Sequence, residues 1–382
     1  MRFEFATATR IYFGEGLSAD IGKIGAPFGH HAVFVGNPER NRGIIEALEA
    51  SDIACAAFTP EGEPTIAIVD QCVSLIRETR AELVIACGGG SALDLAKAAA
   101  ILAVHKGETL DYVEVIGRGR ALTEPSLPVI AVPTTAGTGS EVTANAVVTS
   151  PEARLKISLR SPYMQPRAAI VDPSLTLTLP KQATVFSGMD ALTQVIEPYV
   201  SRKANPITDA LCNEGIIRAG KSLLIAAEQP DNLDARSNMA LVALLSGMAL
   251  ANAKLGAVHG FAGVIGGMTG APHGAICAAL LSPVMQANIE ALRAHAPGHH
   301  AIDRYQEIAA MLIGVADSRP EDGAAWIADL ARRLEVPGLS ELGVLAADIP
   351  TIAERAALAS SMQGNPVPFD AHKLAAILES AL

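Results

Sequence analysis

The 382-residue chain carries little charge for its length: 18% of its residues are Asp, Glu, Lys or Arg, 4% are aromatic, and no stretch is rich in Lys and Arg. With a net charge of −11, this leaves no electrostatic footprint for nucleic acid or for an anionic membrane. The cysteines, Cys55, Cys72, Cys87, Cys212 and Cys277, are odd in number and widely spaced, without a CxxC pair. That argues against both a disulfide framework and a Cys-rich zinc ribbon. The N-terminus, MRFEFATATRIYFGEG, lacks the basic-then-apolar layout of a secretory leader and alternates like a strand, so a cytoplasmic location is expected. No internal repeat or low-complexity linker stands out. The expected partner is a small molecule, with neither nucleic acid nor membrane.

Half of the residues are apolar, and the length exceeds what one core usually fills, so two domains are expected. Short apolar runs of strand length, His31 to Val35, Ile53 to Phe58, Leu83 to Cys87 and Pro128 to Val132, alternate with helical spacing over Ser18 to Ile24, Thr65 to Thr79 and Ala92 to Val104. This alternation predicts a parallel, Rossmann-like α/β sheet. From about Lys181 helical periods dominate and strand-like runs vanish. The expected division is an α/β dinucleotide-binding domain over 1–180 and an all-α domain for metal and substrate over 181–382, with the ligand in the cleft between them.

Two loops leave the predicted sheet at the carboxyl ends of strands, where ligands of open parallel sheets collect. In the first, Gly88, Gly89, Gly90 and Ser91 open a helix, so that backbone N–H groups and the helix N-terminus can meet a pyrophosphate. Asp94 is expected in the first turn, as a dipole-favoured carboxylate or a hydrogen-bond acceptor for a ligand. Lys97 reads as a solvated surface residue. The second loop, Pro133-TTAGTGSEVT-Ala144, offers the hydroxyls of Thr134, Thr135, Thr138, Ser140 and Thr143 for phosphate and ribose, and Lys156 is the nearest cation. Either loop alone could be a plain turn or helix cap.

The segment from Ala257 to Ile289 holds no formally charged residue, yet contains His259 and His273. Gly266, Gly267, Gly270 and Pro272 interrupt it, which argues against a membrane span. The expectation is buried helix, glycine-rich turn, buried helix, with His259 at the start of the first and His273 just after Pro272 at the start of the second. Imidazoles in an apolar interior need hydrogen-bonding partners or a metal. Asp190, with Gln194 and Glu197 on the same helix face, is the acid that could complete such a set, although a carboxylate near a helix start is also favoured by the dipole alone.

The motifs GGGSALDLAK, PTTAGTGSEVT, DPSLTLTLP at Asp172 to Pro180, GMDALTQVIEPYVS, HGFAG…APHGAICAALL and the tail Gly364-Asn365-Pro366 occur in an order that resembles the iron-containing (group III) alcohol dehydrogenases over nearly the whole chain. This family is related more distantly to glycerol dehydrogenase and dehydroquinate synthase. The resemblance implies NAD or NADP bound by the N-terminal domain, a divalent metal, iron or zinc, held by the helical one, and hydride transfer between an alcohol and an aldehyde or ketone, in a homodimer. It places Gly89, Gly90, Ser91, Thr134, Thr138, Asn145 and Lys156 at cofactor-binding positions. Asp190, His259 and His273 fall at metal-ligand positions and are the catalytic centre.

Three departures from the family pattern bear on chemistry. The fourth ligand, usually histidine, is Gln194, which predicts metal binding that is retained but weakened. The histidine often assigned to proton relay is replaced by Gly263. The acid that would bind the adenosine ribose is replaced by Asn37, with Arg40 and Arg42 nearby, which permits NADP. Cys277, one helical turn after His273, reads as a buried structural cysteine, with metal ligation as the alternative. Competing functions are a metal-independent reductase similar to maleylacetate reductases, a dehydroquinate synthase-like lyase, and a binding protein without turnover.

Overall fold

The structure is a computed structural model, which describes residues 2–153 and 155–382. The chain divides into two compact units, one of residues 7–178 and one of residues 179–382 together with 2–6.

The first unit runs β1 (Ile11–Phe13), α1 (Ile21–Gly25), β2 (His31–Val35), α2 (Arg42–Glu49), β3 (Ala54–Phe58), α3 (Ile66–Thr79), β4 (Leu83–Gly88), α4 (Gly90–Ala103), β5 (Val129–Pro133), β6 (Asn145–Ser150), β7 (Leu155–Arg160) and β8 (Ala168–Val171). Six strands form one sheet in the order β1-β8-β5-β4-β2-β3, every pair parallel. Its central strands are buried on both faces, as parallel strands covered by helices must be. Alternate residues serve opposite cores: Val33, Val35, Val84, Ala86, Val129 and Ala131 pack on one face, while Phe34, Leu83, Ile85, Cys87, Ile130 and Val132 pack on the other. Because β3 and β4 flank β2 on opposite sides, the strand order reverses there, which is the topological switch of a doubly wound sheet. The register sets Gly88 opposite Pro133, so the loops after β4 and β5 leave the sheet side by side. Strands β6 and β7 form a separate antiparallel hairpin.

The second unit is helical: α5 (Lys181–Val200), α6 (Pro206–Glu228), α7 (Leu233–Ala253), α8 (Ala257–Thr269), α9 (His273–His295), α10 (Ala301–Ile313), α11 (Pro320–Arg333), α12 (Ile349–Ala357) and α13 (Ala371–Glu379). Helix α9 is long and apolar enough to cross a membrane, but 72% of its apolar window is buried within the protein, as in a core helix. It lies against α5 so closely that a Cβ on Gly274 would stand 2.2 Å from the carbonyl oxygen of Phe186. Only glycine allows that backbone approach.

The strand expected along the N-terminus is confined to β1. Residues 2–6 belong with the helices, where the Ala6 amide donates to Asn252 Oδ1 (2.7 Å) and the Asn252 amide donates back to the Ala6 carbonyl (2.8 Å).

Candidate active site

Helices α5, α8 and α9 bring four potential ligands together. Asp190 lies midway along α5, His259 is the third residue of α8, His273 opens α9, and Cys277 follows one turn later. One donor atom from each lies within 4.8 Å of all the others. Asp190 Oδ1 is 3.4 Å from His259 Nε2 and 3.8 Å from His273 Nε2. Cys277 Sγ is 3.9 Å and 3.7 Å from the same two nitrogens. Asp190 and His259 are buried, whereas the His273 side chain is 34% exposed and marks the open side of the cluster.

Three features suit this cluster to a divalent cation. Asp190 Oδ1 is buried without a hydrogen-bond partner, a costly state for a carboxylate oxygen that a cation relieves. Second, His259 Nδ1 lies 2.7 Å from Glu197 Oε2, the geometry in which a carboxylate fixes the tautomer and leaves the Nε2 lone pair for a metal. Glu197 is itself held, because the Val258 amide donates to its Oε1 at 2.7 Å. Third, the site favours positive charge. Burial opposes a charge on His259, but the Asp190 and Glu197 carboxylates raise its pKa well above the ordinary imidazole value. Burial likewise opposes ionisation of Asp190, yet His259 and His273 hold it below the usual carboxylate range. Burial pushes the Cys277 thiol up to about 12. Imidazole and carboxylate together are a donor set for zinc or iron(II).

Gln194 lies one turn along α5 from Asp190 and is buried. Its Oε1 accepts from Ser246 Oγ at 3.2 Å, and its amide helps to hold the Asp190 carboxylate ionised. A Cβ on Gly263 would have no atom within 4 Å, so the position four residues after His259 is open space. Asn365 fixes the start of α8: its Oδ1 accepts from the Ala257 amide (3.2 Å), and it exchanges two hydrogen bonds with Asn288.

In the α/β unit, Gly88 ends β4, Gly89 precedes α4, and Gly90 and Ser91 form its first turn, with the Ser91 side chain exposed. A Cβ on Gly90 would stand 2.7 Å from Thr138 Cγ2, and one on Gly89 would stand 3.2 Å from Thr135 Cγ2. The Thr134 amide donates to the Gly88 carbonyl at 2.9 Å, so the two loops are stitched together. Asn145 opens β6 and Lys156 lies on β7, where its Nζ is 2.6 Å from Glu63 Oε1. Asn37 follows β2 and its Oδ1 accepts from the Arg40 amide at 2.9 Å.

Two residues in this unit, Asp94 and Lys97, differ from expectation. Asp94 lies beyond the first turn of α4, with one oxygen accepting from Ser140 Oγ (2.5 Å) and the other from the Val147 amide (2.9 Å). Lys97 is not a surface residue: it is 1% exposed, and burial, its largest influence, lowers its pKa. Its amine donates to the carbonyls of Ser140 and Thr143 and to Thr143 Oγ1, and pairs with Asp94 at 3.3 Å. Ser140 and Thr143 are therefore engaged inside the protein, where they brace the second loop.

The model for the iron-containing alcohol dehydrogenases matches residues 8–173, and the model for the C-terminal part of the Fe-containing alcohol dehydrogenase family matches residues 184–382. Alcohol dehydrogenase 4 of Saccharomyces cerevisiae is 37% identical over 340 residues, which are 88% of this chain and 86% of the yeast protein. The crystal structure of a 1,3-propanediol oxidoreductase superimposes with a TM-score of 0.92 at 32% identity, covering 100% of both chains. That of the sulfoacetaldehyde reductase from Bifidobacterium kashiwanohense, in complex with NAD+, gives 0.87 at 31% identity, covering 100% of this chain and 99% of the other. With both halves matched and the fold shared throughout, the chain belongs to the iron-containing alcohol dehydrogenase family and is an NAD(P)-dependent oxidoreductase acting on CH–OH groups.

Proposed function

We propose that the chain interconverts a small alcohol and its aldehyde or ketone, with the helical unit binding a divalent metal and the substrate and the α/β unit binding NADH or NADPH. The observation that carries this reading is the buried Asp190 oxygen without a hydrogen-bond partner, faced by the Nε2 atoms of two histidines. Asp190, His259 and His273 hold the metal, a two-histidine, one-carboxylate set that leaves room for substrate. When bound, the metal supplies Lewis acidity at the substrate oxygen and the nicotinamide supplies or takes the hydride. Glu197 keeps His259 in the tautomer that ligation needs, and Gln194 with Ser246 orients Asp190.

The amides at the start of α4 receive the pyrophosphate, with Ser91, Thr134, Thr135 and Thr138 as neighbouring hydroxyl donors. Asn145 is a further cofactor contact, and Lys156 serves the cofactor's hydroxyls or phosphate. Asn37 replaces an acid that would repel a 2′-phosphate, which supports use of NADPH as well as NADH. The substrate oxygen exchanges its proton with solvent, because Gly263 provides no imidazole and His273 faces the open side of the cluster. The five unpaired cysteines suit a reducing cytoplasm, and sedimentation tests whether the chain is a homodimer.

The experiment is the metal content of untagged protein, with NADH and NADPH oxidation followed over a panel of short aldehydes and ketones. The expected result is about one metal ion per chain, with turnover lost on chelation and regained with zinc or iron(II). Asp190→Ala should lower turnover by at least about 100-fold, since Lewis-acid assistance contributes several kcal/mol. Turnover that survives complete chelation and Asp190→Ala overturns the metal-assisted mechanism in favour of a metal-independent reductase.

A further inference from the structure

We infer that Cys277 is a metal ligand: as a thiolate it completes the set of Asp190, His259 and His273, takes over the ligating role that Gln194 cannot fill, and makes the centre select zinc over iron(II). The inference rests on the metal-assisted reading above and deepens it.

The separations carry the case. Tetrahedral zinc, with Zn–N and Zn–O of about 2.0–2.1 Å and Zn–S of about 2.3 Å, sets nitrogen and oxygen ligands about 3.3 Å apart and sulfur and nitrogen about 3.6 Å apart. The protein already shows 3.4 and 3.8 Å for the two N–O pairs, and 3.9 and 3.7 Å for the two S–N pairs. For these four pairs a contraction of a few tenths of an ångström suffices, and the remaining N–N and O–S pairs lie within 4.8 Å. Cys277 stands four residues after His273 on the same straight turn of α9, so both side chains reach the centre without backbone movement.

The competing ligand is already engaged. Gln194 Oε1 already accepts from Ser246 at 3.2 Å, so a metal would have to share that oxygen or displace the hydroxyl. The competing role for the cysteine, filling apolar space, describes Cys72 and Cys87, which lie inside the two cores of the parallel sheet. Cys277 instead faces two imidazole nitrogens. A coordinating thiol gives up its proton to solvent when the metal enters, whatever its basicity before. Thiolate favours zinc, whereas carboxylate and imidazole alone leave iron(II) competitive. The exposed side of His273 leaves room for a substrate oxygen as a fifth donor.

Cobalt(II) added to metal-free protein tests this directly. The expected result is an intense near-ultraviolet sulfur-to-cobalt charge-transfer band, which requires a thiolate on the metal. Cys277→Ser should abolish the band and weaken zinc binding by roughly 10- to 100-fold or more, since even ligand-orienting partners contribute that much. Gln194→Ala and Cys55→Ser should keep the band, Cys55 being the one cysteine that is not buried. Cobalt bound with visible d–d bands but no charge-transfer band in the wild-type protein overturns thiolate ligation and leaves the metal-assisted reaction standing. A band that persists in Cys277→Ser overturns the assignment to Cys277. No cobalt or zinc binding at all overturns both this inference and the reading it rests on. The wild-type spectrum decides the question even if a variant does not fold.

Discussion

The loops after β4 and β5 and the cluster around Asp190 solve opposite problems with similar residues. Around Lys97 the buried amine, the Asp94 carboxylate and the hydroxyls of Ser140 and Thr143 satisfy one another, and what they leave for a ligand is backbone at the start of α4. Around Asp190 the side chains converge without closing the account: one carboxylate oxygen keeps no hydrogen-bond partner. A site that binds through main-chain amides can afford complete internal satisfaction, because its side chains serve only to hold the loop. A site that binds through side chains shows a remainder that matches its ligand in sign and position.

The contrast can be broken from either end. Lys97→Met removes the cation paired with Asp94 in that network, and breaking a buried pair in this way costs about 3–5 kcal/mol. Urea unfolding of the α/β unit should show a loss of that order, while metal affinity stays as it was. An unchanged unfolding midpoint contradicts the bracing role. Glu197→Gln keeps the size of the side chain but weakens the hold on His259 Nδ1, so metal affinity should fall by roughly 10- to 100-fold. A competition titration measures it, and equal affinities would show that His259 is oriented by something else. Gly90→Ala has the smallest effect. Its new methyl meets the end of the Thr138 side chain at 2.7 Å, which can shift, so overpacking near the low end, about 1 kcal/mol, should weaken NAD(P)H binding about fivefold. Fluorescence titration reads this, and unaltered affinity would separate the β4–α4 loop from the nucleotide.

What could be read from the chain follows the reach of each interaction. The buried strands 83–88 and 129–133 are apolar runs ended by glycine or proline, a local pattern, and they lie where expected. The β6–β7 hairpin gave no such signal, because its strands alternate buried with half-buried residues beside a hydroxyl-rich loop, and β8 is only four residues long, two of them alanine. Asp190, His259 and His273 stood out because polar groups in apolar sequence demand partners. The partners themselves stayed hidden: Glu197 meets His259 across 62 positions, and Lys97 finds Ser140 and Thr143 across more than 40. Nothing local distinguishes a buried, paired lysine from a solvated one. Cys277 read first as core, with ligation the lesser alternative, since its neighbours in sequence are apolar and its neighbours in space are not.

Gly274 has an engineering consequence. The gap between α5 and α9 is set by main chain against main chain, between Gly274, next to His273, and Phe186, four residues before Asp190 on α5. The separation between the Asp190 carboxylate and the His273 imidazole, 3.8 Å, is thus fixed by the helical frame rather than by either side chain.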